Sequence, residues 1–592
     1  MTEQARPRSV AVLTEVAALD KALDYLVPEG FEGPLEPGSR VRVDLHGRSV
    51  RGWVLGEGSE QALNLKPLKA SLGIGPPESV LELCEWAAWR WYSTPTRFLS
   101  SASPDRLVRS LPRRPAMPAL EVPPSELGRL GAAQAGGEAR GLLRLGPSTD
   151  PFDLVLGFLS GLGDALGAKS ALILVPSVGY AKRLTARLGR RGIPAVNAQD
   201  AWESARAGWP VVVGTRAGAL APCPHLAGVI VLDAEDRRFL AEGAPTYSTT
   251  VMATERASRA QAPILAVASV PTADLSALLE EIPSPPGVER AGWPVVAVAD
   301  RREDDPRNGL LSGHLVEELR AALEHQPDGI AAACLVNRTG RARLLACARC
   351  EQIARCTACE AAMVLEDDLG CPRCGTHRPI VCQACGATKL KLLRLGTAQV
   401  AVELEALLGV PVAELTATSE SPGPATRVVV GTEAVLHRLR RTQLIALLDL
   451  DHHLLAPRAG AEQQSLSLIA QAGRLVGPRG DAGSGLVLLQ TRNATHPVVL
   501  AAQKGDPSEV LEVDRALRTQ LQLAPARAYA LLKGEGAEAL AEAIVGLGIE
   551  IMPLGEHRVA ASASDHPRLL DALAHATRPK ERVVVSVDPV EF

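Results

Sequence analysis

Short apolar runs alternate with helical patterns through the middle of the chain, between residues 141 and 490. The runs are continuous in hydrophobicity, which is typical of parallel strands buried on both faces. Segments between them, such as residues 181–188, repeat apolar residues with the period of a helix. The pattern predicts two successive α/β lobes, each built on a parallel sheet. The predicted strands lie at residues 171–175, 211–213, 229–232, 264–267, 332–335, 410–414, 427–430, 444–450 and 485–489.

The two ends of the chain have the patterns of smaller domains. Strand-like segments near the N-terminus flank a turn at His46-Gly47-Arg48, which predicts a small β domain. Residues 111–140 are rich in Pro, Ala and Gly without clear periodicity, which indicates a linker or a degraded small domain. The last 92 residues alternate helical and strand patterns and predict a small α+β domain.

These patterns, together with the motifs of the cysteine segment and the lobes, divide the chain into seven segments. The predicted segments are 1–110, the N-terminal β domain; 111–140, the linker; 141–285, the first lobe; 286–345, the first part of the second lobe; 346–396, a cysteine module; 397–500, the rest of the second lobe; and 501–592, the C-terminal domain.

Charge and hydropathy limit the function classes. The net charge of −4 over 592 residues gives no global positive field for nucleic acid, so any such surface must be local. The N-terminal segment lacks the apolar core of a secretory signal. No apolar run approaches the ~18 residues that a membrane-spanning helix needs. We therefore expect a soluble, cytoplasmic protein without a membrane partner.

Eight of the 11 cysteines cluster in four Cys-x-x-Cys pairs within a short segment. Each pair can grip one side of a tetrahedral ion, so four pairs predict two closed, structural zinc sites. Redox Cys-x-x-Cys pairs rarely occur four together, and iron–sulfur ligation has other spacings. The spacing leaves open which pairs share an ion. The predicted ligands are Cys347, Cys350, Cys356, Cys359, Cys371, Cys374, Cys382 and Cys385.

The segment around these cysteines is locally basic. Residues 330–396 contain ten Arg and Lys against five Asp and Glu, a balance of +5 on an acidic chain. Such a balance suits either an ordinary solvated face or a surface that contacts phosphates.

Several motifs resemble the PriA (primosomal protein N′) family of bacterial replication-restart proteins, in that family's order and over nearly the whole chain. The cysteine spacing in this context is the most specific of them. The other motifs are Leu23-Asp24-Tyr25-Leu26-Val27-Pro28, Pro37-Gly38-Ser39-Arg40-Val41, Leu335-Val336-Asn337-Arg338-Thr339-Gly340, Gly396-Thr397, Gly431-Thr432-Glu433, Leu447-Leu448-Asp449-Leu450-Asp451, Gln471-Ala472-Gly473-Arg474 and Val587-Asp588-Pro589-Val590-Glu591.

The resemblance implies a fold and a set of binding residues. It implies two RecA-like helicase lobes, a two-zinc module inserted in the second lobe, an N-terminal β domain for DNA and a C-terminal α+β domain. It implies a DNA 3′-end pocket at Asp24, Gly38 and Lys66, with Leu23 where the family usually has Phe. It also implies nested zinc ligation, with one ion on Cys347, Cys350, Cys382 and Cys385 and the other on Cys356, Cys359, Cys371 and Cys374.

The motor motifs depart from that family. No G-x-x-x-x-G-K-[ST] loop is present, and Pro151 and Phe152 stand where the phosphate-binding Lys and the Thr should be. Ala234 replaces the acidic residue that would handle the attacking water. The finger arginine expected after Gly473-Arg474 is missing, unless Arg479 substitutes for it. We therefore assign no catalytic and no nucleotide-binding residues.

The sequence thus favours a protein that recognises stalled forks and single-stranded DNA without hydrolysing ATP. By resemblance, its partners would be primosome proteins, single-stranded DNA-binding protein and the replicative helicase loader, and it would be associated with the nucleoid. The resemblance also implies that residues 111–140 are either a linker or a degraded winged-helix domain. Two alternatives remain open: an active ATP-dependent 3′-to-5′ DNA helicase with a rearranged nucleotide site, and a scaffold that uses the zinc module for a protein partner.

Overall fold

The computed structural model describes most of the chain. The described residues are 8–16, 19, 21–59, 65–285, 287–302, 310–336, 345–365, 368–371, 374–392, 397–416, 419, 421–456 and 458–589. None of the helices in these ranges is both long and apolar enough to cross a membrane.

The N-terminal unit is a five-stranded antiparallel sheet followed by two helices. The sheet has the order β2-β1-β4-β3-β5. His46 and Gly47 have φ of 49° and 80° at the β3–β4 turn, the left-handed conformation that two-residue hairpins favour. The elements are β1 Ser9–Thr14, β2 Leu23–Leu26, β3 Arg40–Leu45, β4 Arg48–Glu57, β5 Ala70–Gly73, α1 Glu78–Arg90 and α2 Pro95–Ala102.

A seven-stranded parallel sheet forms the first lobe. Its strand order is β12-β6-β11-β10-β7-β9-β8, and β10 and β7 are buried along their whole length. The predicted linker contributes α3, which packs on α4 because glycines such as Gly128 and Gly157 let the two backbones meet. The elements are α3 Glu126–Ala133, β6 Arg140–Arg144, α4 Phe152–Leu162, β7 Ser170–Leu174, α5 Val178–Arg190, β8 Ala195–Asn197, α6 Trp202–Arg206, β9 Val211–Gly214, β10 Leu226–Leu232, α7 Thr249–Arg259, β11 Ile264–Ala268, α8 Ala273–Leu278 and β12 Glu280–Ile282.

The second lobe begins after a short connecting helix and is interrupted by the cysteine segment. The connecting helix is α9 Val288–Ala291, and the first elements of the lobe are β13 Val295–Asp300, α10 Gly313–His325 and β14 Ala332–Leu335. The cysteine segment contains only short antiparallel strands within its described residues, namely β15 Leu345–Cys347, β16 Val364–Leu365, β17 Leu369–Gly370, β18 His377–Arg378 and β19 Leu390–Leu392.

The chain then returns to the second lobe and completes a six-stranded parallel sheet of order β13-β23-β22-β14-β21-β20. The predicted boundary at residue 500 falls inside α15, and α15 and α16 both pack on α14, so these helices extend the lobe beyond that boundary. The remaining elements are α11 Thr397–Leu408, β20 Val412–Leu415, β21 Val428–Gly431, α12 Ala434–Arg438, β22 Leu444–Leu447, α13 Asp451–Leu454, α14 Ala461–Val476, β23 Leu486–Thr491, α15 Pro497–Lys504 and α16 Ser508–Gln520.

The C-terminal unit is a four-stranded antiparallel sheet with two helices. Its sheet order is β25-β26-β24-β27. The elements are β24 Ala528–Lys533, α17 Ala537–Val545, β25 Glu550–Gly555, β26 Arg558–Ala563, α18 His566–His575 and β27 Val584–Val587. The predicted fold class, two α/β lobes with a cysteine module in the second and smaller β and α+β units at the ends, is confirmed.

One apolar core joins the C-terminal unit to the first lobe and to the N-terminal helices. At its edge, the Asp588 carboxylate accepts hydrogen bonds from Arg90 at 2.6 Å and from His566 at 2.7 Å. The Thr246 hydroxyl also donates to the carbonyl of Val587 at 2.5 Å. The N-terminal helices and the C-terminal unit are therefore packed against each other and against the first lobe.

Candidate functional site

The eight clustered cysteines form two groups of four. One group joins the first and fourth Cys-x-x-Cys pairs, and the other joins the second and third, which is the nested grouping implied by the resemblance. Within each group the sulfur atoms all lie within 4.8 Å of one another. The closest Sγ–Sγ pairs are 3.5 Å apart, namely Cys347–Cys385, Cys350–Cys382, Cys356–Cys374 and Cys359–Cys371.

These groups fit a tetrahedral, thiolate-binding ion. A Zn–S bond of about 2.3 Å gives sulfur–sulfur edges of about 3.8 Å, close to the spacing found here. The residue after the second cysteine of each pair is left-handed in all four cases, with φ between 58° and 71°, so the four knuckles share one backbone shape. Backbone N–H groups lower the pKa of Cys347 to about 6, whereas burial and hydrogen bonds among the thiols raise the pKa of Cys350 in the same group to about 12, so the case for a metal ion comes from the positions of the sulfur atoms. The two groups could therefore each bind a metal ion, consistent with two zinc sites.

The cysteine module is attached to the second lobe by polar contacts. Glu351, directly after the first knuckle, accepts a hydrogen bond from Arg492 at 3.1 Å and also pairs with Lys391. Arg355 donates to the side chain of Asn493. Arg492 and Asn493 lie in the loop that follows β23. The Asp451 carboxylate holds this loop, because it accepts hydrogen bonds from the Arg492 backbone N–H at 2.8 Å and from the Asn493 side chain at 2.9 Å. Sequence reasoning missed this attachment because the two halves are about 140 positions apart in the chain.

Only part of the predicted basic surface lies within the described residues. Arg338, Arg341, Arg343, Arg373 and Arg394 lie outside them. Arg349 and Lys389 are exposed, and the Ala348 N–H donates to the Lys389 carbonyl, so these two cations lie near each other beside the first cysteine group. Neither has an ion pair within the described part of the chain.

Of the three residues of the predicted DNA 3′-end pocket, Asp24 lies on β2, Gly38 lies in the turn before β3, and Lys66 lies in the segment before β5. In the described structure no hydrogen bond or ion pair joins their side chains to each other. Asp24 lies on β2 opposite Ala11, and its carboxylate is close to Gly58. The Lys66 ammonium pairs with Asp44 at 2.6 Å. Gly38 has φ of 90° and its Cα faces the carbonyl of Pro76, so no side chain fits there.

The loop where a motor would hold phosphate packs directly on the second lobe. The Ser148 hydroxyl donates to the carbonyl of Gly473 on α14 at 2.9 Å, and its backbone N–H donates to Gly292 at 2.9 Å. Pro147 lies against Gly473 on the same side. The backbone N–H and the hydroxyl of Ser148 therefore already donate hydrogen bonds within the protein.

An ion pair crosses between the lobes next to this loop. The Arg474 guanidinium on α14 contacts the Asp233 carboxylate at 2.8 Å and the Glu235 carboxylate at 3.3 Å, and we call these three side chains the inter-lobe ion pair. Glu235 also accepts from the backbone N–H of Ser269 at 3.0 Å. Burial raises the pKa of Glu235 to about 7 although Arg474 opposes the shift, and burial likewise raises the pKa of Asp233. The sequence drew attention to Ala234, which lies between the two carboxylates, and to Gly473-Arg474, but it did not indicate that Arg474 contacts Asp233 and Glu235.

Comparison with known proteins gives one family match and a set of relatives. Residues 9–104 match the family model described as 3′DNA-binding domain (3′BD). The chain is 28% identical to the "Probable replication restart protein PriA" of Mycobacterium tuberculosis (strain ATCC 25618 / H37Rv), an alignment that covers 88% of this chain and 86% of that protein. It is 26% identical to the "Replication restart protein PriA" of Haemophilus influenzae, covering 62% of this chain and 54% of that protein.

Solved structures of helicase-like proteins are also similar. "S. cerevisiae Dbp5 bound to RNA and ADP BeF3" aligns with a TM-score of 0.37 at 11% identity, covering 65% of this chain and 89% of that chain. "Structure of RecG bound to three-way DNA junction" aligns with a TM-score of 0.35 at 12% identity, covering 64% and 44%.

Proposed function

We propose that this protein binds the DNA of stalled or collapsed replication forks and starts replication restart by assembling partners there. The observation that carries the proposal is the match of residues 9–104 to a 3′ DNA-binding domain, in a chain similar to PriA proteins over most of its length. The exposed cations Arg349 and Lys389 on the cysteine module supply a local positive surface that the chain as a whole, at −4, lacks.

In this proposal each terminal or inserted unit has a binding task. Asp24, Gly38 and Lys66 form the DNA 3′-end site, with Lys66 held in place by Asp44. The eight cysteines hold two zinc ions, which stabilise a module whose apolar core, among its described residues, contains seven buried side chains, two of them from ligands. The partners recruited are primosome proteins, single-stranded DNA-binding protein and the replicative helicase loader.

The proposal also holds that the lobes do not hydrolyse ATP. The residues between the lobes do not fit a nucleotide with its metal ion. The loop has Pro151 in place of a lysine, and proline offers no N–H to a phosphate. Arg474 already occupies the position beside Asp233 and Glu235, the carboxylates that would face the ion. Restoring the site would require breaking a largely buried ion pair, which costs on the order of 3 kcal/mol.

A salt-dependent binding assay tests the DNA part of the proposal. The full chain is titrated into a fluorescent fork and into a matched blunt duplex, and anisotropy is measured at several salt concentrations. We expect tighter binding to the fork and an affinity that falls steeply with salt, because phosphate contacts release counterions. Equal affinity for fork and duplex would contradict fork recognition, and no binding to either would leave the protein-scaffold alternative.

A further inference from the structure

A cavity of about 350 Å³ lies in the first lobe at the carboxyl end of its sheet, between the start of α4 and the exposed side of α5. Its floor is apolar and includes Phe152 and Leu232. Its rim carries three arginines of α5, namely Arg183, Arg187 and Arg190, and we call it the arginine cavity. The volume is within the range that small phosphorylated ligands occupy.

The arginine cavity has an excess of positive charge. Asp150 is the acidic residue among those that line it, and it pairs with Arg187 at 2.6 Å. Arg183 and Arg190 are exposed and have no ion pair within the described part of the chain. Three guanidiniums and one carboxylate leave two positive charges facing the cavity.

Two of the guanidiniums are already oriented by aromatic rings. The Arg187 guanidinium lies 3.7 Å above the ring of Phe152, and both of its terminal nitrogens contact the Asp150 carboxylate. The Arg183 guanidinium lies 5.8 Å from the ring of Tyr180. Stacking of this kind restricts the side chains before a ligand arrives, so less conformational entropy is lost on binding.

We propose that the arginine cavity binds a phosphate monoester, with Arg183, Arg187 and Arg190 contacting its oxygens. Planar guanidiniums match the oxygens of phosphate in a bidentate way. A phosphate monoester carries close to two negative charges, which would balance the two excess positive charges that face the cavity. The apolar floor accommodates the sugar or base attached to that phosphate. The site goes beyond the proposed fork recognition. The motor loop contributes Asp150, Pro151 and Phe152 to its lining, but the three cations that would contact the phosphate come from α5 and need neither a loop lysine nor a metal ion.

Binding of a matched ligand pair to the full chain tests this inference. Deoxyadenosine 5′-monophosphate and deoxyadenosine differ only in the phosphate, and both are titrated calorimetrically at constant ionic strength. We expect the monophosphate to bind at least about tenfold more tightly, the effect of charge-assisted hydrogen bonds to the phosphate. Equal binding of the two ligands would overturn the proposal. Hexaglutamate is titrated as an acidic ligand without phosphate, and its binding in the absence of any monophosphate binding would also overturn the proposal.

Neighbouring basic residues on the same surface provide matched controls. Arg183→Gln and Arg190→Gln each remove one charge from the cavity, whereas Lys182→Gln and Arg191→Gln remove one exposed charge beside it. We expect the first two variants to weaken monophosphate binding about tenfold and the controls less than about twofold. Similar losses in all four variants would indicate only a general positive field and would overturn a defined site.

The source of the phosphate is settled with oligonucleotides. A single-stranded oligonucleotide with a 5′-phosphate is compared with the same strand ending in a 5′-hydroxyl. A preference for the 5′-phosphate that Arg190→Gln abolishes assigns the arginine cavity to a DNA end. No preference, with monophosphate binding intact, assigns it to a free phosphorylated small molecule. Because the ligand titration contains no fork, failure of fork binding and failure of this site are distinguishable.

Discussion

At the scale of single residues, Arg474 has the largest expected effect. It is the cation in contact with two acidic side chains, one of which, Glu235, is 2% exposed. Arg474→Met leaves both carboxylates without their cation, so we expect a loss of about 3 kcal/mol in the stability of the lobes. The measurement is chemical unfolding followed by tryptophan fluorescence. Combining Arg474→Met with Asp233→Asn and Glu235→Gln should recover most of the loss; no recovery would show that the lost stability does not come from these charges.

The protonation of Glu235 predicts a pH dependence. Its folded pKa of about 7 exceeds the ordinary glutamate value of 4.5, so the folded protein binds a proton that the unfolded chain has released. Stability should therefore fall as pH rises from about 4.5 to about 7, by at most about 1.4 kcal/mol per pH unit. Burial also raises the pKa of Asp449, to about 6, and adds to the same trend.

The matched variant for this dependence is Glu235→Gln, which keeps the shape of the side chain and cannot titrate. Thermal unfolding midpoints of both proteins are measured between pH 5 and pH 8. The variant should show a flatter curve and retain only the contribution of Asp449 and other groups. Parallel curves for the two proteins would exclude a raised Glu235 pKa.

The two lysines that pair with Asp44 separate a DNA contact from a structural ion pair. Lys66 and Lys69 contact the two oxygens of this carboxylate at 2.6 Å and 2.9 Å, so either substitution removes one exposed ion pair. Lys66→Gln should weaken binding to a fork with a free 3′ end about tenfold, because only Lys66 belongs to the predicted pocket. Lys69→Gln should change fork affinity much less. Equal effects in anisotropy would remove Lys66 from the site.

At the scale of elements, the cysteine knuckles predict two independent metal sites. Cys356→Ser removes a ligand from one group and leaves the other group of four complete. Elemental analysis should return two zinc ions per chain for the wild type and one for this variant. Cys334→Ala, which changes a buried cysteine outside both groups, should retain two. Loss of both ions in Cys356→Ser would contradict independent sites.

The sequence predicts elements well where burial has one clear pattern. The continuous apolar runs of β7 and β10 and the spacing of the cysteines each identify a strand or a knuckle near its observed position. The alternation of helices and strands expected near the C-terminus does not include the β25–β26 hairpin, because its turn residues Glu556-His557 lack the Asn-Gly or Asp-Gly pair that marks two-residue hairpins, although His557 adopts φ of 55°. The helix α3 is concealed by its glycines, which weaken helical propensity and are needed for packing on α4.

Contacts between distant elements are beyond the sequence because no local pattern encodes them. The motif around Arg474 draws attention to a missing arginine a few positions later, yet the role of Arg474 depends on β10 and α14 being brought together by two separate sheets. The same holds for Glu351 and Arg492, which join the cysteine module to the second lobe. Motifs identify which residues are unusual, and the fold decides which of them meet.

At the scale of the whole molecule, the lobes act as a frame for binding units. The C-terminal unit shares a core with the first lobe and the N-terminal helices, and the cysteine module is attached to the second lobe through Glu351 and Arg355. The inter-lobe ion pair and the Ser148–Gly473 hydrogen bond hold the two lobes against each other. In our account this frame keeps the DNA-binding surfaces in fixed relation without an ATP-driven cycle.

The most direct test of this account measures fork binding and ATP turnover on one preparation with verified zinc content. Phosphate release is monitored with ATP, magnesium and saturating forked DNA, and fork affinity is measured in parallel by anisotropy. The account predicts salt-sensitive fork binding with no DNA-stimulated phosphate release above the protein-free blank. DNA-stimulated turnover that disappears in Asp233→Ala would contradict it and would identify an active helicase with a rearranged nucleotide site.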